Sequence, residues 1–188
     1  MKRFNVGDLR LEKKELEINL GKHNYIFVGS STDMFAQVVP SEWISKVLVC
    51  CNNPITDNTY LFQSKNPMRF VEFLLQFPKQ SILGTTIESD IDYADISLAP
   101  SVTQRCEVMS HLAIRKMVSI EPILDFDIDR FVSMLHKIQP EFVSIGADSG
   151  RNNLPEPSPE KIGELILKLK EFTTVKIKEN LNRLLMVK

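Results

Sequence analysis

Histidine and cysteine are scarce in this sequence. The three histidines, His23, His111 and His136, stand alone, and none lies four residues from another. That excludes a helical two-histidine metal motif and leaves them surface or packing roles. The three cysteines are Cys50, Cys51 and Cys106, the first two adjacent inside "VLVCCN". An odd count with one adjacent pair is not the framework of a secreted disulfide domain. On a helix those two side chains would point about 100 degrees apart, which suits core filling better than joint ligation of a metal.

An excess of charge is lacking too. The formal net charge is -1 and the sequence pI about 6.3, so no general attraction to nucleic acid or to an anionic membrane is expected. The stretch "RLEKKELEINL" interleaves both signs in the manner of a solvated helix face. No apolar run approaches the ~20 residues needed to span a bilayer. The N-terminal "MKRFNVGDLR" has no signal-peptide core, and the cytoplasm is the expected compartment. With 43% hydrophobic and 25% charged residues, the composition is that of a folded globular chain rather than a disordered one.

What is present is a repeated unit. Six short β-branched or aromatic runs alternate with segments of helical period: "YIFVGS" from Tyr25, "TYLFQS" from Thr59, "SILGTT" from Ser81, "KMVSIE" from Lys116, "EFVSIG" from Glu141 and "TTVKIK" from Thr173. They recur at roughly thirty residues, the length of a (β/α) barrel unit. Six strands fall short of the eight of a closed barrel, so the expectation is α/β: a partial (β/α) TIM-type barrel with outer helices. It is read as a single domain over residues 1–188 that lacks an upstream βα unit.

The intervening helices have legible starts. Ser101 with Gln104 forms a capping-box pattern ahead of Val102, Cys106, Met109, Leu112 and Ala113. Asp127 precedes Ile128, Phe131, Val132, Leu135 and Ile138, and Ser158-Pro159 precedes Ile162, Leu165, Ile166 and Leu169. Asn66-Pro67 predicts a helix whose inner stripe is Phe70, Val71, Leu74 and Leu75. From about Ser41 a further helix carries Trp43, Ile44, Val47, Leu48 and Cys51, with Trp43 read as core.

Each apolar run ends abruptly in polar residues, which is where folds of this kind build their sites. The first run is followed by Gly29, Ser30, Ser31, Thr32 and Asp33, and the second by Gln63, Ser64 and Lys65. The third leads to Thr85, Thr86, Glu88, Ser89 and Asp90, and the fourth to Glu121. The fifth leads to Gly146, Asp148, Ser149 and Gly150, and the sixth to Lys178, Glu179 and Asn180. Such a ring could bind a polar, zwitterionic or phosphorylated small molecule; the competing reading is that short polar residues merely close turns and cap helices. Caps account for Ser101, Asp127 and Ser158, but less well for Glu121 and Lys65, longer charged side chains set against apolar runs. "GADSG" lacks the spacing of a phosphate-binding or dinucleotide fingerprint.

Taken in order, "IFVGSSTDMFAQVVPSEWI", "FQSKNPMRF", "LGTTIESD", "VSIEPIL" and "VSIGADSG" resemble a phage-associated, radical-SAM-like protein family of unknown function, over roughly residues 24–185. The resemblance implies a partial barrel in which an N-terminal motif of three cysteines, spaced Cys-x-x-x-Cys-x-x-Cys, holds a [4Fe-4S] cluster that binds and cleaves S-adenosylmethionine. This chain has no such triplet, and Cys50, Cys51 and Cys106 fall on helices. The expectation is therefore no cofactor in this chain, with cluster and S-adenosylmethionine belonging to a longer parent. By the same resemblance Ser30, Ser31 and Asp33 would face the methionine end, Glu88 the ribose, and Glu121, Asp148 and Lys178 the ligand side. Two other readings stand beside it. A cluster-free enzyme would use Lys65 or Lys178 as an amine nucleophile with Glu88 or Glu121 as acid or base. A non-catalytic module would cover the edges of an unfinished barrel by self-association or with an upstream segment.

Overall fold

The computed structural model describes residues 9–53, 55–150 and 152–185. All six predicted runs are strands: β1 (Tyr25–Val28), β2 (Thr59–Gln63), β3 (Ser81–Thr86), β4 (Arg115–Ile120), β5 (Phe142–Ile145) and β6 (Thr174–Ile177). They form one sheet in the order β1-β2-β3-β4-β5-β6. The β1–β2, β4–β5 and β5–β6 ladders are parallel. The fold class is the expected one, the α/β class of the partial (β/α) barrel. The helices between strands are α1 (Ser41–Cys51), α2 (Met68–Val71), α3 (Val102–His111), α4 (Ile128–Ile138) and α5 (Pro159–Lys170), and α6 (Asn182–Leu185) follows β6. None of the described helices is long and apolar enough to cross a membrane.

The chain divides into two compact units at Ile82/Leu83. The core of the first is aromatic. Phe35, Phe62, Phe70, Phe73 and Phe77 are all buried, joined by Ile44, Leu48 and Cys51 from α1. Trp43, read as core, is half-buried. Arg69 is buried among these rings because its guanidinium replaces water with fixed acceptors, donating to the carbonyls of Ala36 (3.0 Å) and Val39 (2.9 Å) and to Ser41 Oγ (2.8 Å).

One expectation for this unit fails. The helix after Asn66-Pro67 is a single turn, and Val71, Leu74 and Leu75 are exposed, Leu75 completely. The inner positions are Phe70, Phe73 and Phe77. A ring buries far more area than a valine, so aromatic placement overrides the aliphatic stripe.

In the second unit sequence and structure agree closely. Ser101 and Gln104 close the capping box of α3, Asp127 caps α4 through Arg130 N, and Ser158 caps α5 through Lys161 N. Ile162, Leu165, Ile166 and Leu169 form the buried face of α5, and Phe131, Leu135 and Ile138 that of α4. Ala113 is exposed, whereas Arg105, which no apolar pattern anticipated, is buried on α3.

Lys116 on β4 is 9% exposed, and burial lowers its ammonium below the usual lysine value. The folded state therefore binds fewer protons than the unfolded chain, so stability rises with pH between the lowered folded value and the ordinary one. Lys116→Met is expected to stabilise the fold at neutral pH by up to about 1–2 kcal/mol, the scale of single stabilising changes, read as a higher urea midpoint at unchanged slope. It should also flatten the alkaline rise in stability, which a pH series of unfolding curves would reveal.

Candidate active site at the ends of β4, β5 and β6

Buried Val118, Ser119 and Ile120 carry β4 straight to Glu121. The register of the parallel ladders then assembles its neighbours. Ile120 sits opposite Ile145 and Ile145 opposite Ile177, so the residues after each strand emerge side by side. Gly146 N donates to Ile120 O (2.9 Å) and Lys178 N to Ile145 O (2.9 Å), extending the ladders past the strand ends.

The result is a three-residue constellation. Lys178 Nζ contacts Glu121 Oε2 in an ion pair, and Asn180 Nδ2 donates to Glu121 Oε1 at 2.9 Å. Asn180 Nδ2 also lies 2.9 Å from Ala147 O and 2.9 Å from Ser149 Oγ. One amide nitrogen thus faces three oxygens with two hydrogens, which fixes its orientation. Its Oδ1 is buried without a hydrogen-bond partner. The Glu121 and Lys178 side chains keep 23% and 45% of their surface open, so the pair is reachable from solvent.

Gly146 makes the arrangement possible. A Cβ there would stand 2.7 Å from Glu121 Oε1, 2.9 Å from its Cδ and 3.0 Å from Asn180 Oδ1. The glycine leaves the volume that the carboxylate occupies. Chemically, an ammonium and a carboxylate in contact can exchange a proton, or each can trade its partner for an opposite charge on a ligand.

Asp148 lies next to this group and has a different task. Its carboxylate accepts from Asn152 N, Gly150 N (3.0 Å) and the Asn152 side-chain amide (3.0 and 3.1 Å). The backbone bond from Asn152, with these other donors and Arg183, holds it below the ordinary aspartate range. Arg183 ties the same loop down, donating to Asp148 O (3.1 Å) and pairing with Glu156. Asp148 organises the loop that carries Ser149.

Glu88 is 5% exposed and pairs with Arg105 of α3 at 2.9 Å, while Arg105 also donates to Thr86 O. In the first unit Asp33 joins the segments after β1 and β2. Its Oδ2 accepts from Ser64 Oγ (3.0 Å) and Lys65 N (2.9 Å), and its Oδ1 from Phe35 N (3.0 Å). Lys65 is half-buried, and Ser30 and Ser31 are exposed in the turn after β1. Of the eight singled-out residues, Glu121 and Lys178 are brought into contact, with Asp148 beside them. Gly146 and Asn180 were placed on the rim but given no role, and Arg105 and Arg183 were not singled out. Arg105 did carry a readable sign, since it stands three residues after Val102 and four before Met109, on the apolar stripe.

An iron–sulfur cluster is held by several thiolates converging on one point, whereas Cys50 and Cys51 lie on α1 and Cys106 on α3, with no three such ligands gathered among the described residues. Cys51 is buried in α1 and its pKa is pushed up to about 12 by burial and then by Cys50. Cys106 is buried in α3, its thiol likewise raised by burial, and lies 3.2 Å from Met134 O. Among the described residues no group of three or more His, Cys, Asp or Glu could hold a metal ion.

No curated protein matches the chain. Among solved structures it is similar to the HMG-CoA lyase of Brucella melitensis, with a TM-score of 0.46 and 12% identity over 82% of this chain and 56% of that one. The chain thus spans little more than half the length of that structure. The model of the family described as a protein of unknown function, DUF5131, matches residues 2–159, and the chain belongs to that family.

Proposed function

We propose that the ends of β4, β5 and β6 bind a small zwitterionic molecule, with Lys178 taking its anionic group and Glu121 its cationic one. The observation that carries this reading is the solvent-reachable Glu121–Lys178–Asn180 constellation, built around a glycine whose missing side chain is the space for the carboxylate. A purely structural ion pair needs no such accommodation and gains little at this exposure. The finer reading, a phage-associated radical-SAM-like protein, rests on the strand-end phrases and makes this the substrate side. A cluster with S-adenosylmethionine would supply the radical chemistry, held by residues other than Cys50, Cys51 and Cys106.

The test is calorimetric titration of the full chain with a panel of α-amino acids, repeated on Gly146→Ala and Glu121→Gln. One or more amino acids should bind, and Gly146→Ala should weaken that binding by about tenfold, or 1.4 kcal/mol. Its melting temperature should change little, because the clash falls on the end of a flexible side chain. A panel without a binder, or binding indifferent to both substitutions, would overturn the reading. The contact also favours Lys178 over Lys65 in the alternative amine chemistry. Borohydride trapping of a carbonyl ligand on Lys178, abolished by Lys178→Arg, would establish it.

A further inference from the structure

In the second unit the segment Ile91–Ser101 folds over a cavity of about 250 Å³ whose lining includes the buried Glu88–Arg105 pair. The walls are largely apolar, with contributions from Ile91, Ile96 and Leu124. Ile91 and Ile96 are 43% and 41% exposed, surface that an apolar body in the cavity would cover. A cavity of about 150 Å³ accommodates a benzene molecule, so this one has room for a ring and a small polar substituent.

The polar chemistry is specific. Arg105 is 3% exposed; its Nη1 donates to Thr86 O and forms the ion pair with Glu88, but its Nε is buried with no hydrogen-bond partner. A buried donor left unmade destabilises the fold and calls for an acceptor. The charge of Arg105 is already balanced by Glu88, and the remaining charged group of the lining, Asp92, is negative and accepts from Val102 N at 2.7 Å. An anion would meet Asp92 without an uncompensated cation to hold it, and a cation offers Nε no acceptor. What fits is a neutral acceptor on an apolar ring.

We propose that this cavity is a second ligand site, separate from the Glu121–Lys178 constellation. It takes an uncharged, ring-bearing molecule whose carbonyl oxygen or ring nitrogen accepts from Arg105 Nε. The segment over it is suited to admit such a molecule. Tyr93 anchors it through a bond from its hydroxyl to Asp125 O (3.0 Å) and Asp92 through Val102, and between these the turn holds itself by local bonds such as Ile96 N to Tyr93 O (2.9 Å).

Three probes of one shape and different charge test this on the full chain: benzamide (neutral), benzoate (anionic) and benzamidine (cationic), followed by amide nitrogen–proton spectra at millimolar concentration. Benzamide should shift the amides of residues 91–99 and 101 saturably, with benzoate and benzamidine weaker by about tenfold. Ala94→Trp, which fills the cavity from its exposed side and leaves the ion pair intact, should abolish the benzamide response. The proposal falls if no probe shifts this segment, if either charged probe binds as tightly as benzamide, or if Ala94→Trp changes nothing. Amino-acid binding at the other site reads out at Gly146 and Asn180, so the two proposals succeed or fail separately.

Discussion

Glu88→Ala is expected to destabilise the protein by about 3–5 kcal/mol, the cost of leaving a buried charge without its partner. Arg105 has only 3% of its side chain exposed, and with Glu88 gone its guanidinium keeps the neutral Thr86 carbonyl but loses its countercharge. The pair itself contributes far less than its loss costs, because removing two charges from water offsets most of their attraction. The double variant Glu88→Leu/Arg105→Met should therefore be much closer to wild type than Glu88→Ala. Urea unfolding followed by circular dichroism measures both. A Glu88→Ala variant within about 1 kcal/mol of wild type would mean that water reaches the guanidinium after all. Because the same pair lines the cavity beneath residues 91–101, the double variant should also lose benzamide binding while staying folded.

The strands and most caps were legible because they depend on local chemistry. "SILGTT" is β3 residue for residue, and Ser101, Asp127 and Ser158 each accept the backbone N–H that their position predicts. The strand-end rule also located Glu121 and Lys178. Their contact was not legible, since residues 57 apart in the chain meet only through the β4–β5–β6 register. Nor was the role of Gly146, which reads as a turn glycine until its neighbours are known. The misread stripe after Asn66 has a physical cause as well. Period alone cannot say which of two overlapping faces is buried, and here Phe73 and Phe77 compete with Val71, Leu74 and Leu75 and win. Arg69 and Arg105 show the same limit from the polar side, because a buried arginine is satisfied by carbonyls or a carboxylate that sequence spacing does not place.

Phe35→Ala should have an effect as large as that of Glu88→Ala, about 3–5 kcal/mol for truncating a buried phenylalanine. Phe35 is fully buried, with ring centroids 4.8 Å from Phe70, 5.8 Å from Phe77, 6.1 Å from Phe73 and 6.4 Å from Phe62. Three of these contacts are edge-to-face, a geometry worth about 0.5–1.5 kcal/mol per pair beyond burial. The cavity left behind cannot collapse easily, since Phe35 lies in a loop tied down at both ends. Its own N–H donates to Asp33, whose other oxygen receives Ser64 and Lys65, and its carbonyl accepts from Asn66 Nδ2 at 3.2 Å. Phe35→Leu keeps much of the volume and should cost less, about 1–1.5 kcal/mol. Chemical unfolding gives the energies, and hydrogen exchange at Lys65 N distinguishes their origin. If the ring holds the loop in place, that amide exchanges faster in Phe35→Ala than in Phe35→Leu under native conditions. Equal protection in the two variants would show instead that the Asp33 carboxylate alone positions the segment bearing Ser30, Ser31 and Lys65, and that the aromatic cluster stabilises the unit without shaping it.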